Sequence, residues 1–176
     1  MNINEILKKP EGRRLEFKET MPTQGSLPKT VIAFANDAGG EIYIGVRDNP
    51  RGVVGLPEDK LVELEEQISN IIYNCCYPTI IPDISFLTVE DKYLIKIIIY
   101  RGNMPPYYLK EKGKTNGTYI RVGSANRLAD ASMIEELERK KRNISFDSEP
   151  AFDKPAAELD INEFKSFFHE KTGEEL

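Results

Sequence analysis

The amino-acid sequence predicts an α+β domain, in which a mixed sheet of five to six strands is flanked by helices. Residues 14–18 alternate between polar and apolar side chains, which is the period of a strand with one buried face. Residues 94–99 are almost entirely apolar, which is typical of a central strand covered on both faces. Residues 58–73 instead space Leu and Ile at helical intervals, which indicates a helix with one buried side.

Local signals place the first two helices of the chain. A short helix is expected over residues 3–8, because Pro10 prevents its continuation. A second helix is expected over residues 26–36. Ser26 is a suitable N-cap residue, and Pro28 falls in the first turn, where its missing N–H does no harm.

Strands follow on both sides of the long helix. Adjacent Gly39 and Gly40 suit a tight turn, since glycine adopts positive φ without steric cost, and a strand is predicted over residues 41–47. Two further strands are predicted over residues 83–89 and 93–100, joined by a short polar turn.

A hairpin and a third long helix are predicted next. The hairpin strands are expected over residues 107–110 and 117–122, and Asn116-Gly117 is a strong signal for the turn that joins them. The helix is expected over residues 130–141.

One domain is therefore expected over residues 5–142, followed by a linker and a helix over residues 143–176. The segment 143–157 combines prolines and acidic residues with little periodicity, which is typical of an exposed connector. The last helix, over residues 160–171, carries three phenylalanines on one side. Such a helix needs a packing partner, so we expect it to lead to a C-terminal domain that this sequence does not contain.

Composition excludes several classes of protein. The 176-residue chain has no run of about 18 apolar residues and no signal-peptide pattern, so we expect a cytoplasmic protein without a membrane partner. Its only cysteines are the adjacent Cys75 and Cys76, and its one histidine is His169, which argues against a zinc site of the His/Cys type. No phosphate-binding P-loop motif is present, and no cofactor is expected.

Charge is distributed unevenly along the chain. The net charge is −5, yet residues 101–142 contain ten basic and five acidic residues, whereas residues 143–176 contain three basic and nine acidic residues. The basic band would release counterions on binding phosphates, which favours a polyanionic ligand. The alternative is a solvated face with a charged helix end, since Lys and Arg favour helix C-termini.

Three sequence motifs occur in an order typical of one family. Residues 11–18 read Glu-Gly-Arg-Arg-Leu-Glu-Phe-Lys, residues 34–48 read Phe-Ala-Asn-Asp-Ala-Gly-Gly-Glu-Ile-Tyr-Ile-Gly-Val-Arg-Asp, and residues 119–124 read Tyr-Ile-Arg-Val-Gly-Ser. Together they resemble the Schlafen AlbA-type domain over most of the chain before the linker.

The resemblance implies a DNA-binding domain of a bacterial transcriptional regulator, with DNA rather than RNA as the expected ligand. Relatives often carry a C-terminal ATPase-like domain, which is the kind of partner domain expected here. A homodimer is also expected, since a small basic patch gains affinity when it is doubled. The motif residues to which a structural role is assigned are Asn36, Gly39, Gly40, Gly45 and Gly123.

The residues expected to contact nucleic acid combine aromatic rings with cations, because rings stack on unpaired bases and cations follow the phosphate backbone. They are Lys18, Tyr107, Tyr108, Lys110, Lys112, Lys114, Arg121 and Arg127. Two alternatives stay open. The tyrosines can be half-buried strand residues, and Arg121 can pair with Glu16 or Asp48 and hold the fold together.

Three carboxylates, those of Glu11, Glu16 and Asp48, support a second function. Carboxylate oxygens are preferred ligands of Mg²⁺ and Mn²⁺, and a metal held this way activates water for phosphodiester cleavage. The resemblance implies the same, since the two glutamates match those of Schlafen endoribonucleases and Asp48 is the best match for the third acid. Arg47, just before Asp48, departs from the family pattern.

The alternatives to DNA binding are therefore a metal-dependent endoribonuclease and a protein-interaction or sensory module. For the carboxylates themselves, the simpler interpretation is that they are exposed partners of Arg13, Arg14 and Lys18. In that case no metal is bound.

Overall fold

The computed structural model describes residues 3–22, 25–142 and 162–174, which belong to two units, Met1–Asn143 and Ile144–Leu176. The helices of the described residues are α1 (Ile3–Leu7), α2 (Leu27–Asn36), α3 (Leu61–Cys75), α4 (Gly113–Gly117), α5 (Ala131–Arg142) and α6 (Asn162–Thr172). The strands are β1 (Leu15–Lys18), β2 (Gly40–Ile44), β3 (Val46–Arg47), β4 (Gly52–Val53), β5 (Cys76–Tyr77), β6 (Asp83–Val89), β7 (Lys92–Ile99), β8 (Tyr108–Leu109), β9 (Tyr119–Val122) and β10 (Ala125–Leu128).

A mixed sheet forms the centre of the first unit, with its strands in the order β1-β2-β7-β6. β1 and β2 are parallel, with Phe17 opposite Tyr43, and the other two pairs are antiparallel. The predicted α+β class with a mixed sheet is confirmed. Among the described residues this sheet has four strands rather than five or six, because the remaining short strands form three separate pairs, β3-β4, β5-β8 and β9-β10.

Alternating side chains of β2 and β7 build a core on each face of the sheet. On one face, Ile42 and Ile97 pack in a cluster that includes residues of α2 and α3. On the other face, Tyr43 and Leu94 pack in a second cluster with Ile6 of α1. This burial on both faces explains the almost wholly apolar sequence of β7, and the central position predicted for that strand is confirmed.

Of the predicted hairpin of residues 107–110 and 117–122, only one antiparallel bridge forms, between Tyr108 and Thr118. β8 pairs antiparallel with β5, and β9 pairs antiparallel with β10 across Gly123 and Ser124. Each predicted strand therefore has a partner that the sequence did not indicate.

The segment between β8 and β9 is helical, whereas a turn was predicted there. It consists of a 3₁₀ turn over Lys110–Lys112 followed by α4, and the Thr118 hydroxyl donates to the Lys114 carbonyl at 2.7 Å. A Cβ added to Gly117 would lie 2.9 Å from the carbonyl oxygen of Leu109. This glycine therefore serves close packing against β8 rather than a hairpin turn.

The second unit contains α6, which confirms the helix predicted near the end of the chain. Phe164 and Phe167 on this helix are exposed, and the ring centroids of Phe164 and Phe168 are 6.4 Å apart. The connector predicted over residues 143–157 lies outside the described residues. Across the described ranges, no helix combines the length and apolar character needed to cross a bilayer.

Candidate nucleic-acid interface

Arg121 of β9 lies in a buried polar network. Its side chain is inaccessible to solvent and forms an ion pair with Glu16 of β1. Its Nη1 donates to Asn126 Oδ1 at 2.8 Å, and its Nε donates to the Gly12 carbonyl at 3.1 Å. The guanidinium also lies 5.2 Å from the centroid of the Phe34 ring. Because solvent does not reach this guanidinium, the phosphate contact predicted for Arg121 is not supported, and the alternative pairing with Glu16 is confirmed.

Asn36, the last residue of α2, ties that helix to two strands. Its Nδ2 donates to the carbonyls of Tyr107 and Tyr119 at 2.8 and 2.9 Å, and its Oδ1 accepts from the Tyr107 N–H at 2.7 Å. Asn36 is buried, so water does not compete for these hydrogen bonds. The arrangement agrees with the structural role assigned to this motif residue.

The two motif glycines after α2 allow a close approach of the backbone. Gly39 has a φ of 74°, and a Cβ there would lie 2.6 Å from the carbonyl oxygen of Ile99. A Cβ at Gly40 would lie 2.6 Å from the Phe34 ring. No larger residue fits either position without a shift of the turn or its neighbours.

The three carboxylates predicted to hold a metal have separate partners. Glu11 accepts a hydrogen bond from the Phe17 N–H at 2.7 Å, Glu16 is paired as described above, and exposed Asp48 pairs with Arg51 at 2.5 Å. Within the described part of the chain, no three metal-ligating side chains form a group able to hold an ion. The simpler interpretation holds only in part. Glu16 pairs with Lys18 as expected, but it is buried and also pairs with Arg121. Asp48 pairs with Arg51, and Glu11 accepts from a backbone N–H.

Two other predicted nucleic-acid contacts are engaged inside the protein. Tyr107 is buried, and its hydroxyl accepts from the Met104 N–H at 3.3 Å, so its ring offers no face to a base. Lys18 is partly buried and pairs with Glu16. Arg127, in contrast, is exposed on β10.

The remaining predicted residues line two grooves, and residues of the segment 108–114 contribute to both. They are Tyr108, Lys110, Lys112 and Lys114. The first, called here the lysine groove, has a volume of about 590 Å³. Lys110 is fixed at its edge, because its Nζ donates to the Tyr73 carbonyl at 3.0 Å and lies 5.5 Å from the centroid of the Tyr73 ring. The main lining residues are Lys29, Asn74, Cys75, Lys110, Glu111 and Lys112.

The second groove, called here the tyrosine groove, has a volume of about 540 Å³. Tyr77 of β5 and Tyr108 of β8 lie opposite each other in register, with ring centroids 5.3 Å apart. Lys114 pairs with Glu138 of α5, and this hydrogen bond raises the pKa of the Lys114 ammonium, which stays charged at neutral pH. The main lining residues are Tyr77, Met104, Tyr108, Lys114, Lys141 and Arg142.

The structure adds residues that the sequence did not single out. Tyr77 is the second residue of a two-residue strand that begins where α3 ends, so no periodic pattern marks it. Lys29 lies far from the basic band in sequence and reaches the lysine groove through the fold. Lys141 and Arg142 were part of the basic band, but only the structure places them beside aromatic rings.

The family model described as Schlafen, AlbA_2 matches residues 11–130 of this chain. The matched range contains all three motifs. Among curated proteins, an uncharacterized ATP-binding protein of Ureaplasma parvum serovar 3 is 29% identical over 93 residues, which are 51% of this chain. The chain spans only 26% of the length of that relative.

Two solved structures are similar in fold. The N-terminal domain of a protein from Nitrosomonas europaea, named as related to the ATP-dependent DNA helicase RecG, has a TM-score of 0.52 and 23% identity, over 72% of this chain and 90% of that domain. The DIP2311 protein of Corynebacterium diphtheriae has a TM-score of 0.54 and 18% identity, over 82% of this chain and 32% of that protein. At these identities the similarity concerns the fold.

Proposed function

Because the chain belongs to the Schlafen, AlbA_2 family, we propose that its Met1–Asn143 unit binds nucleic acid, DNA in preference to RNA, as the recognition domain of a bacterial transcriptional regulator. The observation that carries the proposal is the grouping of cations around the segment 108–114. The lysine and tyrosine grooves bring six cationic side chains together with only two carboxylates, Glu111 and Glu138. A surface of this charge attracts phosphates and gains entropy from counterion release.

The name of the Nitrosomonas europaea protein, which refers to a DNA helicase, also supports the proposal. The curated relative is named as ATP-binding and is much longer than the matched segment. We therefore propose that this unit acts beside a further, ATPase-like domain in the same polypeptide. The homodimer stays a prediction.

Replacing Lys112 with alanine tests the proposal. Lys112 is exposed at the lysine groove, and a lost phosphate contact should reduce the salt dependence of binding, the slope of log K against log salt, by about 1. The measurement is fluorescence anisotropy of labelled single-stranded and duplex oligonucleotides between about 50 and about 200 mM salt.

Lys60→Ala is the matched control. Lys60 is also exposed and lies just before α3. The lysine groove lies at the other end of this 15-residue helix, about 20 Å away. Its replacement should leave both the affinity and the slope unchanged. If the wild-type chain binds neither oligonucleotide at the lowest salt, nucleic-acid binding is wrong and the interaction-module interpretation takes its place.

Replacing Glu138 with glutamine is expected to strengthen binding two- to fivefold, roughly what removal of one partly screened charge achieves. The change removes a carboxylate from the tyrosine groove and releases Lys114 from its ion pair. Anisotropy titration at low salt measures the effect. An affinity that stays the same or falls would indicate that the nucleic-acid backbone binds the unit at a surface other than the tyrosine groove. Glu63→Gln, which breaks the exposed pair with Lys60, is the control.

A further inference from the structure

We infer that the tyrosine groove holds an unpaired base, so that the domain prefers single-stranded nucleic acid to duplex. This inference rests on the proposed function and specifies its ligand. It starts from the aromatic pair. Tyr77 is 51% exposed, and its ring is supported by the half-buried ring of Tyr108 at an interplanar angle of 47°. A half-exposed aromatic ring that lines a groove can serve as a stacking surface for a base.

The rest of the groove suits a base attached to a phosphate backbone. Met104 is 45% exposed and lines the groove with Pro105, which gives the base edge an apolar contact. Lys114 and Lys141 line the same groove, and the carboxylate of Glu138 is neutralised by Lys114. The volume of about 540 Å³ lies within the range of about 300–1000 Å³ that is usual for small-ligand sites.

Duplex cannot use these features in the same way. A paired base is covered on both faces by its neighbours in the stack, and only an unpaired or unstacked base presents a face to an aromatic side chain. Cations at the edge of the groove can bind either form through phosphates. The tyrosine pair is therefore the feature that distinguishes a single strand from a duplex.

The test compares three labelled ligands of equal length by fluorescence anisotropy: an oligothymidylate, the same oligomer built from abasic residues, and a duplex. The abasic oligomer keeps the phosphates and lacks the bases, so it reports the electrostatic part of binding alone. We expect the wild-type chain to bind the oligothymidylate at least about fivefold more tightly than either other ligand.

The variants assign that preference to the groove. Tyr77→Ala should lose at least about fivefold in affinity for the oligothymidylate and should bind the abasic oligomer as the wild type does. Tyr77→Phe keeps the ring and should retain the affinity. Tyr100→Ala removes an exposed tyrosine that lies outside both grooves, and should have no effect. Circular dichroism of each variant establishes that the fold is retained.

The outcomes distinguish failure of the base pocket from failure of the proposed function. Equal binding of all three ligands, with no effect of Tyr77→Ala, overturns the base pocket and leaves the proposed function intact. Preference for the oligothymidylate that survives in Tyr77→Ala also overturns the pocket. Failure of every ligand to bind overturns the proposed function itself.

Discussion

Replacing Arg121 with methionine is expected to lower the free energy of unfolding by about 3–5 kcal/mol, the usual cost of removing one partner of a buried ion pair. The change leaves the Glu16 carboxylate buried without its guanidinium, and deprives Asn126 and the Gly12 carbonyl of a donor. Lys18, which also contacts Glu16, offsets part of the loss, so we expect the lower end of the range. The chain has no tryptophan, so denaturant unfolding is followed by far-UV circular dichroism.

Arg127→Met is the matched control, since Arg127 lies exposed on the adjoining strand of the same hairpin. It should change the stability by no more than about 0.5 kcal/mol. The double variant Glu16→Gln/Arg121→Met should lose less than the sum of the two single variants, because neither charge is then left unpaired. Equal losses for Arg121→Met and Arg127→Met would contradict the buried pair.

Replacing Asn36 with alanine is the second large effect, and we expect a loss of about 2–4 kcal/mol. Three shielded hydrogen bonds disappear together, and each buried backbone group left without a partner costs about 1–3 kcal/mol, partly relieved by local rearrangement. The backbone groups concerned belong to Tyr107 and Tyr119. The same denaturant experiment measures the change.

Asn116→Ala is the control for this substitution, because Asn116 is an exposed asparagine of α4 and should change the stability by no more than about 0.5 kcal/mol. Asn36→Asp separates the two kinds of bond. It keeps the acceptor for the Tyr107 N–H and loses the two donors, and it directs a carboxylate at two carbonyl oxygens. It should be at least as destabilising as Asn36→Ala, and a milder effect would contradict the assigned orientation of the amide.

The periodic parts of the fold could be predicted from the sequence. The main sheet and the helices α2, α3 and α5 follow from apolar spacing, which records directly which faces are buried. The pairing of Arg121 with Glu16, across 105 positions in the chain, could be stated as an alternative because both residues belong to the family motifs.

The rest could not be predicted, for physical reasons. The Asn-Gly signal at Asn116 is local, and tertiary packing of Gly117 against β8 overrides it. The two grooves are built by strands of two residues and by helix ends, which carry no period that a sequence displays. Separating exposed cations from those that hold the fold requires knowledge of burial, as the contrast between buried Arg121 and exposed Lys112 illustrates.

The buried pair between Glu16 and Arg121 has a consequence for how homologues are compared. Two of the motif residues most easily recognised serve to join β1 to the β9-β10 hairpin. A homologue that retains both residues is expected to keep this join between β1 and the hairpin, but their presence does not identify its ligand. Differences in ligand preference should instead be sought at the positions equivalent to Tyr77, Lys112 and Lys141. Substitutions at these exposed positions change the surface without disturbing the core.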